Sequence, residues 1–372
     1  MTIRTRIGLF IGYFFRSLFW SFNLLLVLYT SLAYWLLQEL PVEHWLAGMV
    51  MISLPLMWVI NFVFVIFWLI SRPWRGWLSG FILIIGIWLF GPRTFVWHKA
   101  TEPSSQYKPI RVWSYNLQSF GLDNLEERRQ SSPRIRRTMT FLLRQDAPIK
   151  CFQEFYNSTA IADYDLLQRL KRSGYSYSAL LHPEYAREKE APVGVAIFSI
   201  YPIVSSGSEP FYGVNGIVWA NIKIGSDTIR VINVHLHSMG IRVGRVLRQE
   251  EIAGVKQETR GVLSALRTGF IQRKEQVRRV EHYIRESPYP VIVTGDFNDT
   301  PYSVVYERMR RTLPNSFEDA GRGFGFTYNR APGFIRIDHQ FHDPKLPALN
   351  FETINYIRYS DHYPIMGTYG VK

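Results

Sequence analysis

The chain has 372 residues, with 43 Lys and Arg against 30 Asp and Glu, a formal net charge of +13. A single cysteine, Cys151, excludes an internal disulfide and a Cys-based zinc cluster. Residues 1–91 hold five Arg and two Glu with no Lys or Asp, which leaves 38 basic and 28 acidic residues beyond them. A basic soluble part favours phosphate-rich partners such as nucleic acid, anionic lipid or phosphoesters.

Three apolar runs open the chain. Residues 17–38 carry no charge and are rich in Phe, Leu and Trp, residues 45–71 are uncharged, and residues 76–92 form a third run. A membrane-spanning helix needs about 20 apolar residues, with a range of roughly 17–25. The reading is therefore a membrane domain over 1–92 with three transmembrane helices. The first run is too long for a cleaved signal peptide and lacks a small-residue cleavage site. Arg4, Arg6 and Arg16 precede the first span, and Arg72 and Arg75 lie between the second and third. The positive-inside bias then places the N-terminus and the Arg72 loop in the cytoplasm and residues from about 93 onward outside. A third run lying only in the interface would reverse the side of the large domain. Trp74, Trp77, Trp88 and Trp97 suit interfacial belts. Segment 93–109, with Pro103 and Pro109, reads as a linker to a larger domain over 110–372.

Beyond Ile110 the pattern becomes short strands, turns and a few helices. Ile110–Tyr115 alternates and ends in Asn116. Pro133–Gln145 is a basic amphipathic helix. Residues 148–152 form a second strand that ends in Gln153-Glu154. Tyr164–Arg172 reads as a helix and Val193–Phe198 as a strand. Ile217–Ile224 and Thr228–Val234 read as a hairpin, followed by His235-Leu236-His237. Two helices are expected near Val246–Leu263 and Phe270–Glu286. Then come the buried strand Val291–Val293, a helix near Ser303–Arg311, and strands near Ile335–Phe341 and Tyr359–Thr368.

The stretch VIVTGDFNDTP, Val291–Pro301, organises the rest. Its β-branched run reads as a buried strand delivering Asp296 and Asn298 at its end. Alternation on an extended chain points both side chains the same way. Five other strand ends deliver polar groups: Asn116; Glu154; His235 with His237; Asp338 with His339; and Asp361 with His362. Buried charges without partners are costly, so these groups are expected to partner one another. Oxygen ligands such as Glu154, Asp361 and the Asn116 amide suit a hard cation, Mg²⁺ or Mn²⁺. A cation beside a phosphoester neutralises charge, and a His held by a carboxylate is a suitable base.

The set SYN, QE, NVHLHS, GDFN, IDH and SDH resembles the endonuclease/exonuclease/phosphatase superfamily over about residues 109–370. The resemblance implies a four-layer α/β sandwich, two mixed sheets flanked by helices, and metal-dependent phosphoester hydrolysis. It implies Glu154 as principal metal ligand with Asn116 and Asp361 near the metal. It implies Asp296 as the residue that orients or activates water, and Asn298 as the amide that holds phosphate or water. His362 is implied as the catalytic histidine, with Asp338 supporting it. It leaves open whether Asp296 or His362 is the base and whether one or two metals act. The family's strand histidine matches His235 first, and His237 is a further phosphate contact by a second pattern. His339 stands where many members have Tyr, and is expected to be a packing or surface residue.

The leading expectation is a membrane-anchored, Mg²⁺- or Mn²⁺-dependent phosphodiesterase or phosphatase. Its substrate would be a phospholipid, a headgroup, a sugar phosphate or nucleic acid, and no feature points to a protein partner. Two alternatives are an envelope-tethered nuclease and a catalytically inactive, membrane-anchored binding module. The segments Glu184–Pro192, Pro210–Asn215 and Gly321–Gly333 are the expected recognition loops.

Overall fold

The computed structural model describes residues 3–40, 43–102, 104–121, 132–182, 190–238 and 252–372. The chain divides into two compact units: Met1–Pro92 with Tyr302–Val304, and Arg93–Pro301 with Val305–Lys372.

The first unit is helical, built from α1 (Ile3–Glu39), α2 (Trp45–Ile52), α3 (Leu54–Ser71) and α4 (Gly76–Thr94). Among the described residues, three segments are long and apolar enough to cross a membrane: Tyr13–Glu39, Leu54–Ser71 and Pro73–Thr94. The apolar run expected over 45–71 breaks at Ser53. Pro55 sits in the first turn of α3, and proline has no N–H to continue the ladder of α2. Outward-facing residues such as Ile70 and Trp88 are apolar and exposed. The polar groups point inward and pair across helices, as expected where neither lipid nor Leu can satisfy them. Asn23 Nδ2 donates to Ser79 Oγ at 2.6 Å, and Trp68 Nε1 donates to Asn23 Oδ1 at 3.0 Å. Asn61 Nδ2 donates to Thr30 Oγ1 at 3.0 Å.

The second unit carries two mixed sheets. One has β2 (Lys108–Asn116), β3 (Ile149–Ser158), β4 (Tyr177–Leu180), β5 (Glu190–Ser199), β12 (Ala348–Thr353) and β13 (Ile365–Val371), in the order β12-β13-β2-β3-β5-β4. The other has β6 (Ile203–Pro210), β7 (Gly216–Ile224), β8 (Asp227–His235), β9 (Val291–Asp296) and β11 (Asp338–His342), in the order β11-β9-β8-β7-β6. Among the described residues, only β2/β3 and β8/β9 pair in parallel. Val112, Cys151 and Ile197 of the first sheet meet Ala220, Val231 and Ile292 of the second in one buried cluster. α5 (Pro133–Arg144) and α6 (Leu166–Arg172) cover the outer face of the first sheet through Met139, Leu142, Leu166 and Leu170. α7 (Ile252–Arg285) and α8 (Val304–Thr312) cover the second through Val277, Val280, Val305 and Met309. These are the four layers of the expected sandwich.

Several boundaries differ from the sequence reading. The two helices expected near Val246–Leu263 and Phe270–Glu286 are one helix from Ile252, while residues 246–251 lie outside the described residues. Gly269 does not break it, because Phe270, Arg273, Val277 and Val280 form one buried stripe, against a glycine cost of about 1 kcal/mol. β6 reads as polar because it is an edge strand with mostly exposed side chains. The segment expected as a linker is partly structured. Within it β1 (Val96–Trp97) pairs with β10 (Arg322–Gly323), and Val96 packs on Phe317 of α9 (Ser316–Ala320).

One core cation is unusual. Lys150 is fully buried, and its Nζ donates to the carbonyl of Leu142 at 2.5 Å, at the end of α5. Burial pulls its ammonium down to about 8, below the ordinary 10.5. The unfolded chain therefore binds one more proton than the folded chain between about pH 8 and 10.5. The folded state gains about 3 kcal/mol as pH rises through that window. In pH-dependent unfolding of the full chain, the difference between wild type and Lys150→Met is expected to show this rise. Parallel curves would refute it.

Candidate active site

The parallel pairs set the site. β2 runs beside β3 until it ends at Asn116, opposite Gln153 and next to Glu154, and β8 and β9 end together with His235 opposite Asp296. Antiparallel β11 begins at Asp338, which pairs in register with Asp296. The loop before β13 supplies Asp361 and His362. Both sheets thus deliver polar residues to the same end of the sandwich.

Two backbone devices aim these groups. In β3 the pairing with β5 slips between Phe152 and Phe155, which leaves an extra residue, and Glu154 takes a left-handed φ of 48°. Such a bulge re-aims a side chain out of the alternating pattern, at a cost in strain of about 1–3 kcal/mol. Behind it Gln153 Nε2 donates to Asn233 Oδ1 at 2.5 Å and to Ser114 Oγ at 3.0 Å. Asn233 in turn donates to the carbonyls of Phe152 and Ala196, both at 2.9 Å. This fully buried network joins the two sheets beneath the site. At Gly295, φ is 136° and an added Cβ would lie 2.1 Å from the Val234 carbonyl oxygen. The glycine of GDFN is therefore required by the close approach of β8.

Seven of the nine sequence-predicted side chains converge. Asn116 Nδ2 donates to Asp296 Oδ2 at 2.9 Å and to Glu154 Oε1 at 3.3 Å. His235 Nε2 lies 3.7 Å from Asp296 Oδ2 and 3.8 Å from Glu154 Oε1. His362 Nδ1 bonds Asp338 Oδ2 at 2.8 Å, and its Nε2 lies 3.7 Å from Asp296 Oδ2 and 3.9 Å from Asp361 Oδ1. The Asn116 oxygen accepts from the Gln118 N–H at 2.9 Å, so this amide presents its nitrogen to the carboxylates.

Asn298 and His237 are placed differently from the alternation argument. β9 ends at Asp296, and Asn298 sits beyond it with a φ of 51°. Its N–H donates to Asp296 Oδ1 at 2.8 Å and its amide to the Leu236 carbonyl at 3.0 Å. The turn therefore holds the Asp296 carboxylate by its backbone. β8 ends at His235, so alternation does not carry His237 alongside it. The His237 backbone is held by Gln276 and Arg273 instead. His339 is buried against Tyr306 and Phe297, and its Nε2 lies 2.9 Å from the Asp299 carbonyl, so it packs as expected.

Electrostatics sort the groups. Burial pulls the His362 imidazole down, but Asp338 and Asp296 outweigh that and hold it at about 10, protonated at neutral pH. Burial, with Asp338 adding to it, raises Asp296 to about 6 despite the two histidines. Burial lowers His235, which stays neutral. Burial raises Glu154, and the neighbouring charge of Asp361 adds to that.

Asp296, Asp338 and His362 bring ligand atoms within 4.8 Å of one another. Asp338 and His362 are nevertheless spent on each other, which makes a dyad rather than a chelate. The oxygens open to solvent are those of Glu154, with its side chain 30% exposed, and Asp361, 15% exposed. Four carboxylates here face one imidazolium and Arg330, whose Nε lies 3.5 Å from Asp361 Oδ2. The uncompensated negative charge and the all-oxygen donors fit a hard divalent cation at Glu154 and Asp361.

Sequence reasoning named the loop around Tyr328 for recognition only and missed its hold on the centre. Tyr328 pairs with His362 across an isolated bridge and meets its ring edge-on at 5.5 Å. The Asn329 N–H donates to the Asp361 carbonyl at 2.9 Å, and the Asn329 amide to that of Ser360 at 2.8 Å. Gly321–Gly333 was expected to contact substrate; Tyr328, Asn329 and Arg330 also brace the centre itself. Of the other expected loops, Pro210–Asn215 touches the site through Asn215 Nδ2, which donates to the Leu236 carbonyl at 2.6 Å. In Glu184–Pro192, residues 184–189 lie outside the described residues.

Comparison with known proteins agrees with this geometry. The model of the Endonuclease/Exonuclease/phosphatase family matches residues 113–362. A domain family of unknown function matches residues 16–92. No curated protein sequence matches. Among solved structures, a family protein from Bacteroides thetaiotaomicron aligns with a TM-score of 0.51 and 18% identity, covering 72% of this chain and 99% of its own. TDP2 from Caenorhabditis elegans aligns with a TM-score of 0.50 and 17% identity, covering 78% of this chain and 81% of its own. Both are likenesses of fold. The chain belongs to the Endonuclease/Exonuclease/phosphatase family, whose members hydrolyse phosphate esters and typically use divalent metals.

Proposed function

We propose that this chain is a membrane-anchored, Mg²⁺- or Mn²⁺-dependent phosphodiesterase or phosphatase whose centre is the cluster of Asn116, Glu154, His235, Asp296, Asp338, Asp361 and His362. The observation that carries this reading is the excess of carboxylate charge beside a buried imidazolium, all within hydrogen-bonding or ion-pair distance. Three apolar helices support the anchor, and the arginine bias supports an extracytoplasmic catalytic domain.

Glu154 and Asp361 would hold the cation, which supplies charge neutralisation on the phosphate and on the leaving oxygen. Asn116 fixes Glu154 and Asp296 in one orientation. His362, kept charged by Asp338, donates from Nε2 to a phosphate oxygen and stabilises the charge that grows there. Asp296 accepts the proton of the attacking water, since it faces both histidines and is held by the Asn298 N–H. His235 is neutral and bonds the phosphate opposite His362. Asn298 holds the Asp296 turn, and His237 is proposed as a further phosphate contact.

The test is hydrolysis of bis-p-nitrophenyl phosphate by the detergent-solubilised full chain. Turnover with Mg²⁺ or Mn²⁺, abolished by EDTA and restored by metal, is expected. Absence of turnover with every divalent metal tried would favour the inactive binding module. A second reading, a tethered nuclease, is favoured by one feature. A cavity of about 530 Å³ along α5 is lined by Arg136, Arg137, Arg144, Phe141, Tyr356 and Tyr359. Basic and aromatic groups in one groove suit single-stranded nucleic acid. Binding of an oligonucleotide that falls steeply with salt would select that reading.

A further inference from the structure

The loop that braces the catalytic centre also carries an aromatic surface. Phe324 meets Phe95 at 5.1 Å and stacks on Phe326 at 5.2 Å, while Phe95 stacks on Trp97 at 6.3 Å. The Arg322 guanidinium lies 3.9 Å over the Trp97 ring. The β1–β10 pairing locks the two segments together. This face is not a core: Trp97 is 61% exposed, Phe324 48% and Phe95 46%. Contiguous exposed aromatics of this kind mark an interaction surface.

The chain itself says what lies beside it. Phe95 and Trp97 are one and three residues beyond Thr94, where the third candidate span ends. Three residues reach at most about 10 Å. Aromatic rings with a cation stacked on them suit the headgroup layer, where one side is apolar and the other wet. Phe324 and Phe326 reach the same face from more than two hundred residues away. Within four residues of Phe326, Tyr328 touches His362 and Arg330 faces Asp361. One loop therefore carries both the aromatic face and the residues that brace the centre.

We infer that Phe95, Trp97, Phe324 and Phe326 form a docking face that partitions into the membrane interface and holds the catalytic centre at the phosphate layer, so that the ester cleaved is that of a membrane lipid. The substrate part of this inference rests on the function proposed above; the docking part does not. Hydrolysis there breaks a P–O ester bond, with water supplying oxygen to phosphorus and a proton to the leaving alcohol.

The test uses the full chain in vesicles of phosphatidylethanolamine and phosphatidylglycerol. Cys151 is fully buried, so a cysteine introduced by Phe324→Cys can be labelled selectively with an environment-sensitive fluorophore. Ile200→Cys, at a 43% exposed position bonded to Pro148 at the start of β3, the far end of that strand from Glu154, is the reference. Doxyl-labelled lipids are expected to quench the probe at 324 at least several-fold more than that at 200. Equal quenching overturns the docking face. In parallel, Phe324→Ser with Trp97→Ser is expected to lower phosphate or headgroup release from the vesicles by at least fivefold. Turnover of soluble bis-p-nitrophenyl phosphate should stay within twofold, which also verifies folding. Turnover of the soluble ester with no release from vesicles by wild type overturns the lipid substrate. Loss of both wild-type activities sinks the proposed function instead, and the quenching result still decides the docking face.

Discussion

Glu154→Gln is expected to reduce kcat/KM on bis-p-nitrophenyl phosphate by roughly a hundred- to a thousandfold, about 3–4 kcal/mol of transition-state stabilisation. Gln keeps the volume and still accepts from Asn116, so the change isolates the charge. The lost carboxylate is one of the two that face solvent, where a cation would sit. The variant should therefore need more Mg²⁺ for half-maximal activity, by at least tenfold, while its melting temperature holds or rises. A rise follows because Glu154 is buried beside Asp361, and the variant removes that charge and its repulsion. Activity within twofold of wild type at equal Mg²⁺ would remove Glu154 from the centre. The same outcome would leave the excess negative charge without a function.

Gly295→Ala is expected to be the most damaging single methyl group in the catalytic unit. Its Cβ would meet the Val234 carbonyl at 2.1 Å and the Asn233 side chain at 3.0 Å, on a backbone at φ 136° that L-residues rarely adopt. Neither neighbour can yield. Val234 is in the β8 ladder, and Asn233 is bound to Gln153 and to two carbonyls of the facing sheet. A loss of about 4 kcal/mol or more is expected, at the upper end for point substitutions. Thermal unfolding of the full chain reads it directly, and the mutant should also lose activity because β8 and β9 carry His235 and Asp296. A variant melting within a few degrees of wild type would show that β8 and β9 can separate freely.

The pairing of Asp296 with Asp338 shows how burial and register make chemistry. Two buried carboxylates in register repel, and the proton that relieves them sits on His362, bonded to Asp338. Burial raises Asp296 to about 6, with a like charge on one side adding to it and two imidazoles on the other opposing it. The carboxylates also divide by exposure. Asp296 and Asp338 are almost completely buried and serve the histidine, whereas Glu154 and Asp361 reach solvent.

Much of this was legible in the residues. Apolar length alone marked the candidate spans, since a bilayer imposes a thickness that composition reveals. The alternation of short β-branched runs with polar ends marked the strands that carry Asn116, Glu154, His235 and Asp296. The family pattern in order across 250 positions implied the sandwich, and the fold agrees. Tertiary structure alone decided the rest, because it depends on contacts between residues distant in sequence. The bulge that turns Glu154 comes from a slipped pairing with β5. The Asn298 turn replaces the alternation that Asp296 and Asn298 suggested, because β9 ends at Asp296, two residues before Asn298. The aromatic face joins Phe95 to Phe324 through a two-residue strand pair too short to read from sequence. Local pattern fixes which residues are buried and which are polar. Only the register between strands, set by packing of the whole core, decides which polar groups meet.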